Sequence, residues 1–247
     1  TEQWLAHYRA QPGTRAIPLD ASHTSPARAL VAECRELAPL RGGMVKPLRV
    51  LICGIPNVGK STLINTLMGK RAAKTGDEAG VTRNEQRVAL ADDCYLFDTP
   101  GVLWPRIVVP ESGTLLAASG AVGRNAYDDE SVALDLLDLL KLAYPVLLEE
   151  RYRFGLNPAA LAEAHAEVLM ESIGRQRGAL VAGGKVNLTK AAELVIADFR
   201  QGHMGRITLE TPEQFGRWLA AGEAADAQRQ KARGDRPNSP SGGRRKR

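Results

Sequence analysis

The chain has 247 residues, 44% of them hydrophobic and 25% charged, which indicates a folded protein of one or two domains. Its best candidate for a membrane span, residues 132–148, contains Asp135, Asp138 and Lys141, so we interpret it as an amphipathic helix. The net charge is +5, but residues 226–247 alone carry +6 and residues 1–225 about −1. The basic character therefore belongs to the C-terminal end and not to the folded body.

Three cysteines, Cys34, Cys53 and Cys94, lack C-x-x-C spacing and have apolar neighbours. This pattern favours buried thiols in a reducing compartment over a zinc site or a thiol enzyme. We expect a cytoplasmic protein without a secretory signal peptide.

The pattern of apolar residues predicts an α/β region followed by a helical one. It predicts a helix at the start of the chain, then a second from about 26 to 40. The strand "LRVLICG" is typical of the interior of a parallel sheet, and a helix from about 60 to 69 follows its glycine loop. Residues 70–85 predict a mobile loop, and "QRVAL" and "CYLFD" predict two short strands.

The second half predicts three amphipathic helices, at about 128–150, 158–173 and 187–201. We divide the chain into a domain at 1–125, a small all-α domain at 126–225 and a tail at 226–247. The tail is rich in Gly, Pro, Ser and Arg and lacks large apolar residues, so we expect it to be disordered.

The segment "GIPNVGKS", residues 54–61, fits G-x-x-x-x-G-K-[ST] in full, between a predicted strand and a predicted helix. Its glycines let backbone N–H groups point at phosphates, and the helix adds its positive dipole end. We expect Lys60 to reach the β- and γ-phosphates and Ser61 to ligate Mg²⁺. Nucleotide contacts are expected along residues 57–62, which include Asn57, Val58, Gly59 and Thr62. A glycine turn before a helix, without a ligand, is the alternative.

A second motif, "YLFDTPG", supplies what a P-loop enzyme needs near its metal. Asp98 ends an apolar strand, as a residue that holds a Mg²⁺-bound water does. Gly101 can offer a backbone N–H to the γ-phosphate. Thr82, between the two motifs, is a candidate Mg²⁺ ligand. The alternatives are an ordinary Asp-Pro-Gly turn and a solvated loop threonine.

The motifs "GIPNVGKSTLIN", "AKTGDEAGVT", "DTPGVLWP" and "GRITLE" resemble those of the circularly permuted GTPases of the ribosome biogenesis GTPase A type, over about residues 1–210. The resemblance implies a P-loop GTPase domain with a permuted Rossmann-like sheet, incomplete at its N-terminal side, followed by a small all-α domain. In that family the guanine selector N-K-x-D precedes the P-loop. We find no such motif in the chain and expect it to lie upstream of Thr1.

The resemblance also assigns "PLDAS", residues 18–22, to the loop that contacts the base. It implies that the Ala21 backbone N–H meets the guanine O6 while Asp20 and Ser22 shape the loop. From the residues alone this segment is a plain turn.

Many GTPases place a glutamine just after the D-x-x-G glycine, where it orients the attacking water. Val102 stands there, so we expect slow turnover without a partner or an ion. The resemblance implies that Asn57 holds K⁺ beside the phosphates, where the ion acts like an arginine finger. The alternative is that Asn57 only fixes the turn.

The function that the resemblance implies is assembly of the large ribosomal subunit: binding of its precursor with GTP, then hydrolysis and release. The expected ligands are GTP or GDP, Mg²⁺ and K⁺, and the expected partner is the precursor with its rRNA. We expect a monomer that binds neither DNA nor membranes. Candidate RNA contacts are the C-terminal tail, "GRQRG", and a set of basic residues on the helical domain: Lys185, Lys190, Arg200, His203 and Arg206.

Two other classes of function remain open. One is another P-loop NTPase, such as an ATPase or a kinase. The other is a non-enzymatic RNA- or ribosome-binding module with impaired nucleotide binding.

Overall fold

A computed structural model describes residues 1–43, 45–69, 86–103 and 107–234. The candidate ligand Thr82 and the basic residues beyond 234 lie outside this part. The first half contains α1 (Glu2–Arg9), α2 (Thr24–Leu37), β1 (Leu48–Ile52), α3 (Lys60–Met68), β2 (Gln86–Ala91), β3 (Cys94–Asp98) and α4 (Pro110–Ala118). The second half contains a 3₁₀ turn (Arg124–Ala126), α5 (Asp129–Ala143), α6 (Pro145–Tyr152), α7 (Pro158–Glu163), α8 (Ala166–Gln176), α9 (Leu188–Arg200) and α10 (Pro212–Gly234).

The described strands form one sheet in the order β1-β3-β2. Strand β1 runs parallel to β3, and β2 runs antiparallel to it. Ile52 at the end of β1 is in register with Asp98 at the end of β3. Because parallel strands end at the same edge of a sheet, the P-loop and the D-T-P-G segment leave the sheet side by side.

One face of this sheet packs against helices α2 and α3. Leu96 of β3 shares a small buried cluster with Ala27 of α2 and Leu67 of α3. The other face is more open: Arg49 is exposed, and Leu51 is 59% exposed. The prediction that β1 lies in a sheet interior is therefore wrong in part, because in the described structure helices cover only one face.

The main hydrophobic core lies among the helices of the second half. Leu136, Leu140, Leu169, Ile173 and Val195 are all less than 3% exposed there. Helix α4 also belongs to this core through Ala117 and Ala118. The element that follows the D-T-P-G segment thus packs with the helical half.

Two predicted helices are interrupted. The helix predicted at 128–150 breaks at Tyr144, because Pro145 has no backbone N–H and begins α6 instead. The hydroxyl of Tyr144 donates to the carbonyl of Thr208 at 2.9 Å and accepts from its N–H at 3.0 Å. The helix predicted at 158–173 is two helices, which separate at residues 164–165.

Helix α10 was not predicted, and it extends to Gly234. The expected disorder from residue 226 is therefore wrong for residues 226–234, where alanine, glutamine, arginine and lysine all favour helix. Helix α10 packs against the first half of the chain. The ring centroids of Trp4 in α1 and Phe215 in α10 lie 6.3 Å apart, and the Trp4 indole N–H donates to the Glu210 carbonyl at 2.9 Å. Within the described residues, no helix has the length and apolar character to cross a membrane.

The cysteines differ in exposure. Cys94 is buried and Cys34 half-buried, but Cys53, at the start of the P-loop, is exposed. The prediction of three buried thiols is therefore wrong for Cys53.

Candidate nucleotide site

The P-loop connects β1 to α3 and turns sharply at two positions. Asn57 has φ 59° and Gly59 has φ 91°, both in the left-handed region that glycine and asparagine tolerate best. Gly59 immediately precedes α3, whose first backbone N–H groups have no carbonyl partner within the helix. These groups, together with the helix dipole, make this end of α3 suited to bind phosphate.

The ammonium of Lys60 lies across the loop. Its Nζ donates to the Ile55 carbonyl at 2.8 Å and to the Gly54 carbonyl at 3.1 Å. The structure therefore brings the ammonium of the predicted lysine, the first residue of α3, against the carbonyls of the loop. This arrangement concentrates positive potential where phosphate oxygens would lie.

The D-T-P-G segment is bonded directly to the P-loop side of the sheet. Asp98 is fully buried. The next residue, Thr99, donates both its hydroxyl, at 2.9 Å, and its backbone N–H, at 3.3 Å, to the Ile52 carbonyl. The Val102 N–H donates to the Gly54 carbonyl at 3.3 Å. The two predicted motifs thus meet, as their positions after parallel strands require.

Gly101 lies close against the P-loop residue Pro56. A Cβ at this position would lie 2.7 Å from Pro56 Cα and 2.8 Å from Pro56 N, which is closer than side chains approach in proteins. Glycine is required here by contact and not by its φ angle.

The predicted base-contacting loop lies next to the P-loop. A Cβ on Gly59 would come 3.6 Å from the Ala21 Cβ, which is ordinary van der Waals contact. Asp20 accepts hydrogen bonds from the Ser22 hydroxyl at 2.6 Å and from its backbone N–H at 2.9 Å. These two bonds lower the pKa of Asp20, so the loop is held by a carboxylate that stays ionised.

Comparisons with known proteins identify relatives of the chain. The family profile described as "50S ribosome-binding GTPase" matches residues 49–142. The ribosome biogenesis GTPase A of Bacillus cereus is 38% identical over 223 residues, which cover 87% of this chain and 73% of the relative. The chain belongs to the ribosome biogenesis GTPase A family. The Thermotoga maritima member is 28% identical over 215 residues, which cover 87% of this chain and 72% of that protein.

Solved structures of family members have the same fold. GNP-bound YlqF from T. maritima superposes with a TM-score of 0.56 at 26% identity, covering 86% of this chain and 76% of that one. A GDP-bound YlqF structure gives a TM-score of 0.58 at 24% identity, over 86% and 77% of the two chains. The predicted family, α/β P-loop fold and GTPase activity are confirmed: the chain is a GTP-hydrolysing ribosome biogenesis factor.

The described residues fit the Mg²⁺ ion that this GTPase family typically uses. They contain no group of three or more His, Cys, Asp or Glu side chains able to hold a metal ion. Mg²⁺ at a nucleotide needs no such group, because one or two protein oxygens suffice beside phosphates and water. Ser61, in the first turn of α3, and the buried Asp98 are the residues that would hold it.

Asn57, the candidate K⁺ ligand of this GTPase, makes a contact that the sequence did not indicate. Its side-chain amide donates to the Gly120 carbonyl at 2.7 Å, just beyond the end of α4. Sequence reasoning also missed Gly120, because nothing in its neighbours resembles a nucleotide-binding motif.

Arg200, a predicted RNA contact, is exposed, but it also makes contacts within the chain that the sequence did not indicate. Its guanidinium donates to the carbonyls of Ala118, at 3.0 Å, and Ala117, at 2.7 Å, and to the Tyr127 hydroxyl at 2.9 Å. The last carbonyls of a helix have no intrahelical partner and carry the negative end of the dipole, so a cation there is stabilising. Arg200 thus caps the C-terminal end of α4 from an exposed position.

His203, also predicted to contact RNA, belongs to an ion-pair cluster around Asp198. The carboxylate accepts from Arg151 at 2.6 and 2.9 Å and from Arg177 at 2.9 Å, and His203 Nδ1 lies 3.2 Å away. Burial by itself raises the pKa of Asp198, but its hydrogen bonds with Arg151 and His203 and the nearby guanidinium charges lower it overall. The other basic residues predicted on this surface, Lys185, Lys190 and Arg206, are exposed.

Proposed function

We propose that this GTPase assists assembly of the large ribosomal subunit, binding the precursor particle with GTP and leaving after hydrolysis. The observation that carries the proposal is the match of residues 49–142 to the profile described as a 50S ribosome-binding GTPase. The relatives that cover most of the chain are named for ribosome biogenesis. We place this activity in the cytoplasm and expect the protein to act as a monomer.

At the nucleotide, each candidate residue has a role that its position supports. The Lys60 ammonium contacts the β- and γ-phosphates, and backbone N–H groups of Val58, Gly59 and Thr62 surround them. Ser61 binds Mg²⁺ directly. These assignments rest on the left-handed turn at Gly59 and on the start of α3 at Lys60.

The remaining nucleotide contacts come from three other segments. Asp98 would hold a Mg²⁺-bound water, Thr82 would serve as a further ligand of the ion, and the Gly101 N–H would contact the γ-phosphate. The Ala21 N–H contacts the guanine, a role supported by the approach of Ala21 to Gly59, and Asp20 shapes this part of the guanine site through its bonds with Ser22.

Hydrolysis needs help that Val102 does not give, since an isopropyl group cannot orient a water molecule. We propose that Asn57 would hold K⁺ beside the phosphates, where the ion would supply charge neutralisation in the transition state. The bond from Asn57 to Gly120 supports this role because it fixes the side-chain amide in one orientation.

The surface around Asp198 is the part of the helical half that we propose for rRNA. Two guanidiniums share one carboxylate, so the cluster keeps a net positive charge, and Arg177 has its side chain 38% exposed. Guanidinium groups bind phosphate in a bidentate manner, and Asp198 holds them in place for it.

Co-sedimentation with ribosomal subunits tests the proposal. The chain is mixed with purified large subunits, their precursors or small subunits, in a non-hydrolysable GTP analogue, GDP or an ATP analogue. We expect binding to large-subunit particles with the GTP analogue, release with GDP, and stimulation of GTP hydrolysis by the same particles.

Three results would contradict this proposal. Equal binding to small subunits would remove the proposed partner. Binding to large-subunit particles that is equally strong with the ATP analogue and with the GTP analogue would favour another P-loop NTPase. Binding that is independent of nucleotide, without stimulated hydrolysis, would favour an RNA-binding module.

A further inference from the structure

The last turn of α4 lies between the P-loop and helix α9 of the helical half. On one side, the Gly120 carbonyl accepts the bond from the Asn57 amide at 2.7 Å. On the other, Arg200 of α9 donates to the carbonyls of Ala117 and Ala118. A continuous chain of bonds therefore connects α9 to the phosphate-binding loop.

The position of the Arg200 guanidinium is fixed from several sides. It packs on Gly120 so closely that a Cβ there would lie 3.3 Å from Nε and 3.4 Å from Cζ. It also donates to the Tyr127 hydroxyl at 2.9 Å. A planar group with three acceptors keeps its orientation better than a flexible ammonium does.

The helical half also holds the other end of α4. A Cβ at Gly222 of α10 would lie 2.6 Å from the Val108 carbonyl oxygen, so α10 packs against the backbone that leads into α4. Ala117 and Ala118 are part of the core formed by the helical half. Helix α4 is therefore in contact with α9 at its C-terminal end and with α10 at its N-terminal end.

We propose that Arg200 is a positioning residue for GTP hydrolysis: it fixes the end of α4, so that the Gly120 carbonyl holds the Asn57 amide at the phosphates. The inference rests on the proposed role of Asn57 at the nucleotide. It makes α9 the element through which the helical half acts on the reaction. Asp198 lies two positions before Arg200, so a ligand at the Asp198 cluster acts on the same helix.

A double-mutant cycle tests the inference in the full chain. GTP hydrolysis is measured in KCl for wild type, Arg200→Ala, Asn57→Ala and the double variant. Loss of Arg200 is expected to lower kcat about tenfold, the equivalent of one hydrogen bond in the transition state, with KM within about twofold of wild type. In the Asn57→Ala background the same change is expected to have no further effect.

Two further variants separate positioning from general loss of structure. Arg217→Ala removes an exposed arginine of α10 and is expected to leave kcat and Tm unchanged. Arg200→Lys keeps the charge, but its compact ammonium lacks the planar spread with which the guanidinium reaches its three acceptors, so we expect it to recover only part of kcat.

A measurement that needs no turnover follows the side-chain amide signals of Asn57 by NMR, assigned from their loss in Asn57→Ala. We expect them to shift in Arg200→Ala and in Arg200→Lys. Unchanged signals in both variants would overturn the inference, and so would kcat losses that multiply in the double variant. Wild-type kcat in Asn57→Ala would instead refute the proposed role of Asn57 itself. A lowered kcat in Asn57→Ala together with a wild-type kcat in Arg200→Ala would refute the positioning role of Arg200 and leave the proposed role of Asn57 standing.

Discussion

Replacing Gly101 by alanine tests whether the D-T-P-G segment and the P-loop act as one packed unit. The new Cβ would lie 2.7 Å from Pro56 Cα and 2.8 Å from Pro56 N, both backbone atoms that no side-chain rotation can move away. Ordinary contact begins at 3.4 Å, so the two segments must separate by about 0.7 Å. That separation also lengthens the bond from the Val102 N–H to the Gly54 carbonyl.

The size of the effect follows from this displacement. A misplacement of about 1 Å at a reacting group costs about 10²-fold in rate, so we expect kcat/KM for GTP to fall by about 10- to 100-fold. Overpacking is expected to reduce the free energy of unfolding by about 1–3 kcal/mol. Most of the loss in kcat/KM should therefore come from geometry, because the folded state remains populated at 25 °C.

The assay is single-turnover GTP hydrolysis, with GTP affinity by calorimetry and Tm by thermal denaturation. Gly216→Ala is the matched control: it lies inside α10, has nothing within 4 Å of its added Cβ, and gains about 1 kcal/mol of helix propensity. It should raise Tm slightly and leave kcat/KM unchanged. Wild-type kcat/KM and Tm in Gly101→Ala would refute the packed-unit argument.

Three further substitutions give separable results. Lys60→Ala should weaken GTP binding in calorimetry by at least about tenfold, because it removes the ammonium from the loop; unchanged affinity would exclude the lysine from the site. Asp198→Asn should lower the free energy of unfolding by about 1–3 kcal/mol at pH 7 in urea denaturation, since two guanidiniums lose their carboxylate. The Asp198 pKa is lowered in the folded state, so this stabilisation is present above the unfolded pKa of about 3.9 and lost as pH falls through the folded pKa. The Asp198→Asn difference should therefore shrink at pH 3, and a constant difference would contradict the ion-pair explanation. Burial raises the Glu210 pKa, so the ionised carboxylate destabilises the folded state at pH 7. Glu210→Gln should therefore raise Tm at pH 7 and leave it unchanged below pH 4. A higher Tm at both pH values would indicate that the substitution acts through packing.

Much of the nucleotide site could be predicted because its rules are local. A strand, a glycine loop and a helix beginning at Lys60 are adjacent in sequence, and the same holds for β3 and Asp98. The register of β1 with β3 then brings the two motifs together without further information. The position of Ala21 beside the P-loop is a contact between distant segments, and only the family resemblance indicated it.

The parts that could not be predicted depend on packing between distant residues. The hydrogen bond from Asn57 to Gly120 joins residues 63 positions apart, and the bond from Arg200 to Ala118 joins residues 82 positions apart. No residue pattern predicts either contact. An arginine on a helix surface is usually solvated, and nothing in the sequence indicated that the exposed Arg200 also caps α4. The exposed face of β1 could not be predicted for the same reason. The packing of neighbouring elements, and not the composition of the strand, decides how exposed each of its faces is.

The placement of α4 explains how the helical half can influence chemistry at the sheet edge. Gly101 lies nine positions before Pro110, where α4 begins, and α4 packs into the helical core through Ala117 and Ala118. We therefore expect a movement of the D-T-P-G segment on loss of the γ-phosphate to change the position of α4 in the helical core. By linkage, a ligand that prefers one position of α4 must change GTP affinity by the same factor by which GTP changes the affinity for that ligand. Measuring GTP affinity with and without ribosomal particles, and particle affinity with and without GTP, should give equal ratios in wild type and smaller ones in Arg200→Ala.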